Sequence, residues 1–402
     1  MPATLTEPPA DRVAEARPPE PARLPRRLVA LLAVTAGASV ANLYYVQPLL
    51  NVLGDALGVS EATAGLLVTC SQVGYVAGLA LLVPAGDLVE RRGMITTLLV
   101  AAAIASAVCA AAPGFAVLAA ALVAVGSLSV VAQIVVPLSS TLAGPHERGQ
   151  VVGTVVSGLL VGILGARTLS GLVAALGGWR LVFALAAGGM LALAFVLRTA
   201  LPRVPPTDPI RYPAALRSVL ALIAEEPVLR QRMALGALTM AGFSVLWTSV
   251  AFLLGRRYGY GEGVIGLFGL AGVAGALAAP LAGRWADRGR GAVVLTLFLT
   301  AVLASWGLLA LGGSSVVALL AGIVLLDLGV QGTQVSNQAA IYRLRPEARS
   351  RLTTAYMVSF FIGGVVGSVL AATVYGAAGW GATCAVGAGI AAGALAIRAA
   401  TR

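Results

Sequence analysis

One apolar stretch of the sequence carries a stripe of polar side chains. Its members are spaced four, three and four residues apart and are Asp327, Gln331, Gln334 and Gln338. At 3.6 residues per turn, this spacing places them on one side of a helix. Carboxamides donate and accept hydrogen bonds, and a carboxyl group can gain and lose a proton. The stripe predicts a cavity wall that binds a ligand, with Asp327 as a proton-coupling residue; the alternative is hydrogen bonding between helices.

A second group of polar side chains lies in the stretch VANLYYVQPLL, from Val40 to Leu50. This stretch closes an apolar segment that begins at Leu28 and contains no charged residue or histidine. Its hydrogen-bonding members are Asn42, Tyr44, Tyr45 and Gln47. We expect them to contact a ligand or to form a gate; the alternative is a belt of aromatic residues at a membrane surface. Pro48 cannot donate to the carbonyl of Tyr44 and should bend the helix.

Arg167 is the other charge inside an apolar stretch. It lies about 16 residues, or roughly 24 Å at 1.5 Å per residue, into the segment Val151–Leu176. Ionisable residues at such a depth are costly to bury and are functional candidates. Arg167 could bind an anionic group of a ligand or pair with Asp327, and the sequence leaves both alternatives open.

The elements that position these residues must cross a membrane. Hydrophobic residues make up 59% of the 402-residue chain, charged residues make up 11%, and the mean hydropathy is +0.93. Soluble domains carry about 25% charged residues. The composition therefore predicts an all-α integral membrane protein surrounded by a lipid bilayer.

The distribution of special residue types excludes several kinds of site. Cys70, Cys109 and Cys384 fall inside apolar stretches, and the single histidine, His146, lies in a polar gap. This argues against a disulfide framework and against a metal site built on Cys or His. The net charge of +11 comes from 27 arginines, which lie mainly between the apolar stretches. We interpret them as loop charges and expect no nucleic-acid partner.

Segments of about 20 apolar residues predict twelve spanning helices. Six segments hold one helix each: Leu28–Leu50, Ala62–Ala85, Val151–Leu176, Leu181–Leu197, Met233–Gly255 and Gly263–Gly283. Three longer segments must hold two helices each, with a break at Gly or Pro: Met94–Pro145, Gly291–Tyr342 and Leu352–Ile397.

The polar segments divide the chain into parts. Residues 1–27 are rich in Pro, Arg and acids and are expected to form a disordered cytoplasmic tail. Helical bundles are expected at residues 28–197 and 233–398, separated by a cytoplasmic loop at 198–232. The middle of that loop, Ala214–Ala224, could form an amphipathic helix on the membrane surface.

The two halves of the chain carry similar landmarks. GDLVERRG, at Gly86–Gly93, follows helix two, and GRWADRG, at Gly283–Gly289, follows helix eight, 197 positions later. Trp179 in GGWR and Trp380 in AGWG are 201 positions apart. A nearly constant offset indicates two parallel six-helix repeats with pseudo-symmetry.

The repeat extends the list of candidate ligand-binding residues. Gln133 in helix four lies 201 positions before Gln334 in helix ten. Helix seven is the counterpart of helix one and offers Trp247. We expect these residues to line a site between the two halves, near the midplane of the membrane.

This organisation resembles the major facilitator superfamily over about residues 28–398. The twelve helices, the central loop and the acidic–Arg loops carry the resemblance. The segments NLYYVQPLL, RTLSG and LGVQGTQVSNQAAIY resemble a bacterial subgroup of drug, nucleoside and sugar exporters. The resemblance implies alternating access and proton-coupled export, with the proton gradient as energy source and no cofactor. Helix four lacks the Arg, and helix five the Gly-Pro motif, of many drug antiporters, so the substrate class stays open.

In that family the loop motif acts as a cytoplasmic latch between the halves. The first copy is matched by Gly86, Glu90, Arg91 and Gly93, with Glu in place of Asp. The second copy is matched by Gly283, Asp287 and Arg288. Physically, an acid and an arginine at a helix end can pair in one conformation and separate in another.

Together these features predict a secondary active transporter that moves a small organic molecule across the bacterial cytoplasmic membrane, acts as a monomer and exports its substrate. A proton-coupled importer and a transport-inactive membrane receptor are alternatives. An enzyme is not expected, because the sequence offers no nucleophile–base pair, metal cluster or phosphate loop of the P-loop type.

The arginine distribution predicts the topology. If the N-terminus is cytoplasmic, 23 of the 27 arginines are cytoplasmic, which agrees with the positive-inside tendency. Both termini and the loop Arg198–Arg232 should therefore face the cytoplasm. Single cysteines in a cysteine-free variant can be labelled from outside intact cells. A cysteine at Arg256 or Arg257 should label, and strong labelling of the central loop would contradict the assignment.

Overall fold

Helices form nearly the whole of the computed structural model of this chain, which describes residues 24–86, 88–144, 147–206, 211–272, 291–345 and 348–400. Most of the N-terminal tail, His146, Gly283, Asp287 and Arg288 lie outside these ranges. The described residues form thirteen α-helices: α1 Arg26–Ala41, α2 Leu50–Leu57, α3 Glu61–Ala85, α4 Arg91–Ala111, α5 Phe115–Leu128, α6 Val131–Leu142, α7 Arg148–Ala200, α8 Tyr212–Glu225, α9 Pro227–Arg256, α10 Glu262–Leu267, α11 Gly291–Leu311, α12 Val316–Ile341 and α13 Arg349–Ala400.

The described residues account for eleven membrane crossings and for the start of one more, the eighth. Eight helical stretches in the described residues are long and apolar enough to cross a bilayer, α5 and α6 together forming one of them. Of these, α7 and α13 hold two crossings each, because Gly178 and Gly379 interrupt the helical backbone near their middles. The first crossing consists of α1 and α2, and the eighth begins with α10 and the 3-10 helix Phe268–Gly272. The breaks fall where the sequence predicted them.

The backbone repeats the symmetry of the sequence. Four glycines in the described chain have positive φ: Gly58 (63°), Gly178 (77°), Gly259 (68°) and Gly379 (73°). They form two pairs, and the members of each pair are 201 positions apart. Side chains rarely tolerate this backbone region, whereas glycine enters it freely. Each half therefore makes its tight turns at the same places, after its first crossing and between its last two.

The first crossing is not the continuous, bent helix that the sequence predicted. α1 ends at Ala41, residues 42–46 form turns, and Gln47–Leu49 form a 3-10 helix before α2 begins. The N–H groups of Leu43 and Tyr44 bond three residues back, to Val40 and Ala41. Pro48 has no N–H and its ring would meet the carbonyl four residues earlier, so an α-helix cannot pass through this segment undisturbed. Its counterpart in the second half, within α9, is continuous.

Small residues let the first and fifth crossings, and the seventh and eleventh, approach to backbone contact. A Cβ at Gly162 would meet the backbone of Gly37 in α1, and a Cβ at Gly363 would meet the backbone of Ala237 in α9. Gly162 and Gly363 are 201 positions apart, so the two halves use the same packing device. Small residues that allow such close backbone approach are typical of contacts between membrane helices.

One face of the molecule is sealed by contacts between the halves. We call the face at which α3, α6 and α12 end and α4, α7, α9 and α13 begin the arginine-rich face, and the other the opposite face. Contacts towards the opposite face join Asn51 to the Ala251 carbonyl (2.8 Å), Thr69 to Ser368 (2.8 Å), Gln72 to Ser244 (3.2 Å), Thr168 to the Gly266 carbonyl (3.0 Å), and Glu61 to Arg256 in an ion pair.

The central segment carries the helix expected at Ala214–Ala224, which forms as α8. Its C-terminal carbonyls accept from Nη1 of Arg230. At its start, the Tyr212 hydroxyl donates to the Leu81 carbonyl of α3 (2.8 Å). The segment therefore links the second half back to the first along the arginine-rich face.

The close approach at Gly363 predicts that replacing this glycine by alanine lowers the stability of the protein. Gly363→Ala places a Cβ against backbone that cannot move independently, and overpacking of this kind costs about 1–3 kcal/mol. Gly188→Ala is a matched control, because Gly188 lies in α7 with open space around it and alanine is the better helix former. Thermal unfolding in detergent should show a lower midpoint for Gly363→Ala only. Equal midpoints would contradict the packing.

Candidate functional site

A cavity of about 470 Å³ lies between the two halves. The first half contributes α1, the segment after it, α3, α6 and α7, and the second contributes α9, α12 and α13. Val83, Val152, Tyr342 and Thr353 line it within about a turn of helix ends at the arginine-rich face. The cavity therefore reaches that face and stops below the contacts that seal the other.

Glutamines from both halves supply the carboxamide groups of the cavity wall. Gln331, Gln334 and Gln338 line one side, as the helical spacing predicted, and Gln133 lines the other. Nε2 of Gln334 and Gln338 donate to the sulfur of Met357 at 3.9 and 3.8 Å. Because thioether sulfur is a weak acceptor, these amides can exchange it for a better partner at little cost.

The cavity wall is otherwise apolar and aromatic. None of the described residues that line it is charged. Tyr75 and Phe361 meet edge to face with ring centroids 4.5 Å apart, and the Tyr75 hydroxyl accepts from Nε2 of Gln133 at 3.3 Å. These groups can take the flat faces of a ring and the hydrogen-bonding groups attached to it.

Beyond the cavity, Arg167 lies inside a cage of aromatic rings and is only 2% exposed. Its Cζ lies 3.9 Å from the ring centroid of Trp247, 4.7 Å from that of Tyr44 and 5.4 Å from that of Phe243. Nε donates to the Gln47 side-chain oxygen at 2.7 Å. Nη1 and Nη2 have no hydrogen-bond acceptor among the described residues. The positive charge is therefore stabilised mainly by ring faces.

Asp327 lies at the N–H edge of Trp247. Nε1 of Trp247 donates to Oδ1 of Asp327 at 3.2 Å, and Asp327 is 4% exposed. A Cβ at Gly272 would collide with Oδ2, so the eighth crossing packs directly on the carboxyl group. The described residues contain no direct ion pair between Arg167 and Asp327; both groups contact the same indole, Arg167 at its face and Asp327 at its N–H edge.

The sequence-predicted site residues divide into two groups. Tyr44, Gln133 and the three glutamines of α12 line the cavity. Gln47, Arg167, Trp247 and Asp327 form the layer behind it. The expectation that Asp327 faces a wet cavity is thus corrected: Trp247 and the eighth crossing cover it.

Two candidates of the first crossing lie away from the cavity. Nδ2 of Asn42 faces the sulfur of Met190 in the second part of α7 at 3.7 Å, and Tyr45 packs among apolar side chains. The expectation that Asn42 and Tyr45 contact a ligand or form a gate assumed a helix that is bent but continuous. Because the helix is interrupted at 42–46, that assumption does not hold in this conformation.

Sequence reasoning missed Tyr75, Met357 and Phe361 as cavity residues. Tyr75 follows Gln72 by about one turn in an otherwise apolar segment, which was an available signal. Met357 and Phe361 had none, because an apolar side chain in an apolar span is indistinguishable from one that faces lipid.

The loop after α3 is held by hydrogen bonds within the first half. The Glu90 carboxylate accepts from the backbone N–H groups of Arg92 (2.9 Å), Gly93 (2.7 Å) and Val204 (3.3 Å) and so caps α4. Nε of Arg91 donates to the Gly86 carbonyl at 3.3 Å. The contacts of Glu90 do not cross to the second half in this conformation. Desolvation opposes ionisation of Glu90, but the three backbone donors together lower its pKa below the usual value.

Comparison with known proteins places the chain in a family. The sequence profile described as Major Facilitator Superfamily matches residues 29–288 and 232–401. The transporter YgaY of Escherichia coli (strain K12) is 47% identical over 365 residues, which cover 90% of this chain and 93% of YgaY. The chain belongs to the Major Facilitator Superfamily of membrane transporters, and the predicted fold class of two six-helix halves is confirmed.

More distant similarities agree with this assignment. A chloramphenicol resistance protein of Streptomyces lividans is 29% identical over 357 residues, which cover 86% of this chain and 88% of the relative. The crystal structure of a D-xylose–proton symporter superposes with a TM-score of 0.73 at 15% identity, over 92% of this chain and 96% of that one. The structural likeness supports the fold.

The cap at Glu90 predicts a pH-dependent contribution to stability. Because the pKa of Glu90 is lowered in the folded protein, its stabilisation is present above the unfolded value of about 4.3 and is lost as pH falls through the folded value. Glu90→Gln should cost about 0.5–2 kcal/mol at neutral pH, and the difference from wild type should shrink as pH falls below that unfolded value. Thermal unfolding in detergent at several pH values measures this.

Glu147→Gln is the control for this experiment. Glu147 stands at the N-cap position of α7, but its carboxylate does not cap that helix and accepts instead from the Leu24 N–H. A pH-independent cost at Glu90, or an equal cost at Glu147, would contradict the capping role.

Proposed function

We propose that this transporter exports an uncharged, amphipathic small molecule across the bacterial cytoplasmic membrane in exchange for protons. The observation that carries the proposal is the cavity between the halves, which has an uncharged lining and a buried carboxyl group directly behind it. The proposal has three parts: alternating access, the substrate class, and coupling through Asp327.

Alternating access is supported by the unequal ends of the molecule. The cavity reaches the arginine-rich face, while hydrogen bonds and one ion pair join the halves towards the opposite face. With the arginine-rich face in the cytoplasm, this is an inward-facing conformation. Breaking the contacts of the opposite face and closing the arginine-rich face would expose the same cavity to the other side of the membrane.

The cavity lining supports an uncharged substrate. A charged ligand would lose its hydration without gaining an opposite charge, because none of the described lining residues is ionisable to a charge at neutral pH. A volume of about 470 Å³ suits a molecule of drug-like size. The similarity to a chloramphenicol resistance protein supports this class. The outward direction is supported by similarity to a chloramphenicol efflux pump of Mycobacterium tuberculosis, which is 27% identical over 294 residues, or 71% of this chain and 70% of the relative. Chloramphenicol is therefore a suitable first probe.

Coupling is assigned to Asp327 because it is the acid buried nearest the cavity. Burial favours the neutral carboxyl, whereas the Trp247 N–H and the positive charge of Arg167 favour the anion. A conformational change that alters either contact would therefore alter proton binding. The energy source is then the proton gradient, and no cofactor is required.

The test compares Asp327→Asn with the wild type in proteoliposomes, using labelled chloramphenicol. The variant keeps the hydrogen-bonding shape of the neutral acid, so it should bind the probe but lose accumulation driven by a pH gradient, and it should retain exchange. Gln334→Leu should instead lose binding and keep proton coupling. Removing a hydrogen-bond partner of the substrate weakens binding by about 1–3 kcal/mol, while the remaining flux stays proton-driven.

The outcomes separate the parts of the proposal. An Asp327→Asn protein that accumulates the probe at the wild-type rate would exclude Asp327 as the proton carrier. Unchanged binding in Gln334→Leu would show that the substrate does not contact this part of the polar stripe. Uptake in place of export would reverse the direction, and binding without flux would indicate a receptor. If chloramphenicol does not bind, a thermal-shift screen of neutral and charged compounds tests the substrate class directly.

A further inference from the structure

The layer behind the cavity is also a contact between the two halves. Arg167, Gln47 and Tyr44 belong to the first half, whereas Trp247, Phe243 and Asp327 belong to the second. The shortest cation–ring distance, 3.9 Å, joins Arg167 of one half to Trp247 of the other. The strength of this stack therefore contributes to holding the halves together at the level of the site.

Trp247 makes two different interactions at once. Its ring face receives the guanidinium of Arg167, and its N–H donates to Asp327. Trp247 is 3% exposed and does not line the cavity, so it is not placed to contact a ligand there. Phenylalanine could supply a ring face to Arg167, but only an indole supplies the ring face and the N–H donor in this geometry.

We propose that Trp247 is a positioning residue that transmits the protonation state of Asp327 to Arg167 and so to the contact between the halves. When Asp327 is ionised, it accepts the indole hydrogen bond at the ring edge, and its negative charge stabilises the guanidinium on the face of the same ring. When a proton from solution binds the carboxylate, that charge is neutralised. Arg167 then keeps only ring faces and Gln47, and the stack weakens.

Because two nitrogens of Arg167 have no hydrogen-bond acceptor among the described residues, protonation of Asp327 destabilises the buried guanidinium. Nη1 and Nη2 have no hydrogen-bond acceptor among the described residues, so no other group compensates for the lost negative charge. A buried cation without an anion nearby is unfavourable, and the arrangement then favours separation of Arg167 from Trp247. Return of the proton to solution restores the anion and the stack.

The charged and titratable groups around Asp327 are few in the described chain. Arg167 approaches from the fifth crossing and Tyr44 from the first, while α9 presents Trp247 and the eighth crossing presents Gly272. The response of Trp247 should therefore follow Asp327.

Tryptophan fluorescence tests the proposal directly. The wild-type protein in detergent should show a change in emission when the pH is lowered from about 8 to about 4, the range over which a buried aspartate titrates, and both Trp247→Phe and Asp327→Asn should abolish this change. Trp306→Phe is the matched control, because Trp306 is also buried in the second half but its N–H has no acceptor among the described residues. This control should retain the change. A response that persists in Asp327→Asn would overturn the proposal, and this variant leaves the indole intact.

The transport profile supplies a second readout. Trp247→Phe removes a donor from the carboxylate, so the pH profile of transport should move upwards by roughly one pH unit, with binding of chloramphenicol within about twofold of wild type. Weakened binding with an unchanged profile would make Trp247 a substrate contact and overturn the proposal.

This inference rests on the proposed coupling role of Asp327, but the two can fail separately. If Asp327→Asn still accumulates substrate while its fluorescence no longer responds to pH, the carrier role fails and the link through Trp247 stands. If accumulation is lost but fluorescence responds as in the wild type, the link fails and the carrier role stands.

Discussion

The central site depends on one buried positive charge. Burying a guanidinium in a medium of low dielectric constant costs solvation energy, which other groups must offset. Arg167 is stabilised by three aromatic rings, by one carboxamide and by the negative charge of the acid at the edge of the nearest ring. These groups come from the first, seventh and tenth crossings. None of these three crossings can shift without changing the environment of the Arg167 charge, and that charge in turn limits where each of the three can lie. The cavity is built on top of this layer.

The scaffold is symmetric but its chemistry is not. Paired glycines set the same turns and the same helix contacts in both halves, 201 positions apart. At the site the symmetry ends: the position equivalent to Arg167 is Ser368, which shares a hydrogen bond with Thr69. The first crossing is interrupted where the seventh is continuous. The duplicated helical frame thus carries one charged layer that is not itself duplicated. Its arginine lies in the first half, and the tryptophan and the acid that it interacts with lie in the second.

The sequence predicted what depends on local periodicity. The stripe of Gln331, Gln334 and Gln338 faces the cavity because side chains on a regular helix follow its period, and the tight turns lie at glycines because only glycine tolerates their backbone. Asn42 was misplaced because its predicted position assumed a continuous helix, which Pro48 does not permit. The contacts of Trp247 with both Arg167 and Asp327 were not predicted, since periodicity gives the side of a helix that a residue occupies but not its neighbour across the bundle.

The turns at the two faces differ in length. At the opposite face, Gly177 and Gly178 alone separate the fifth and sixth crossings, and Gly379 alone separates the eleventh and twelfth. At the arginine-rich face, the chain between α7 and α9 runs through residues 201–226. Links of one or two residues have no slack, so the crossings they join must tilt as rigid pairs. The opposite face can therefore open only by displacement of whole pairs of crossings, and the chain that joins the two halves runs through the long connection at the other end.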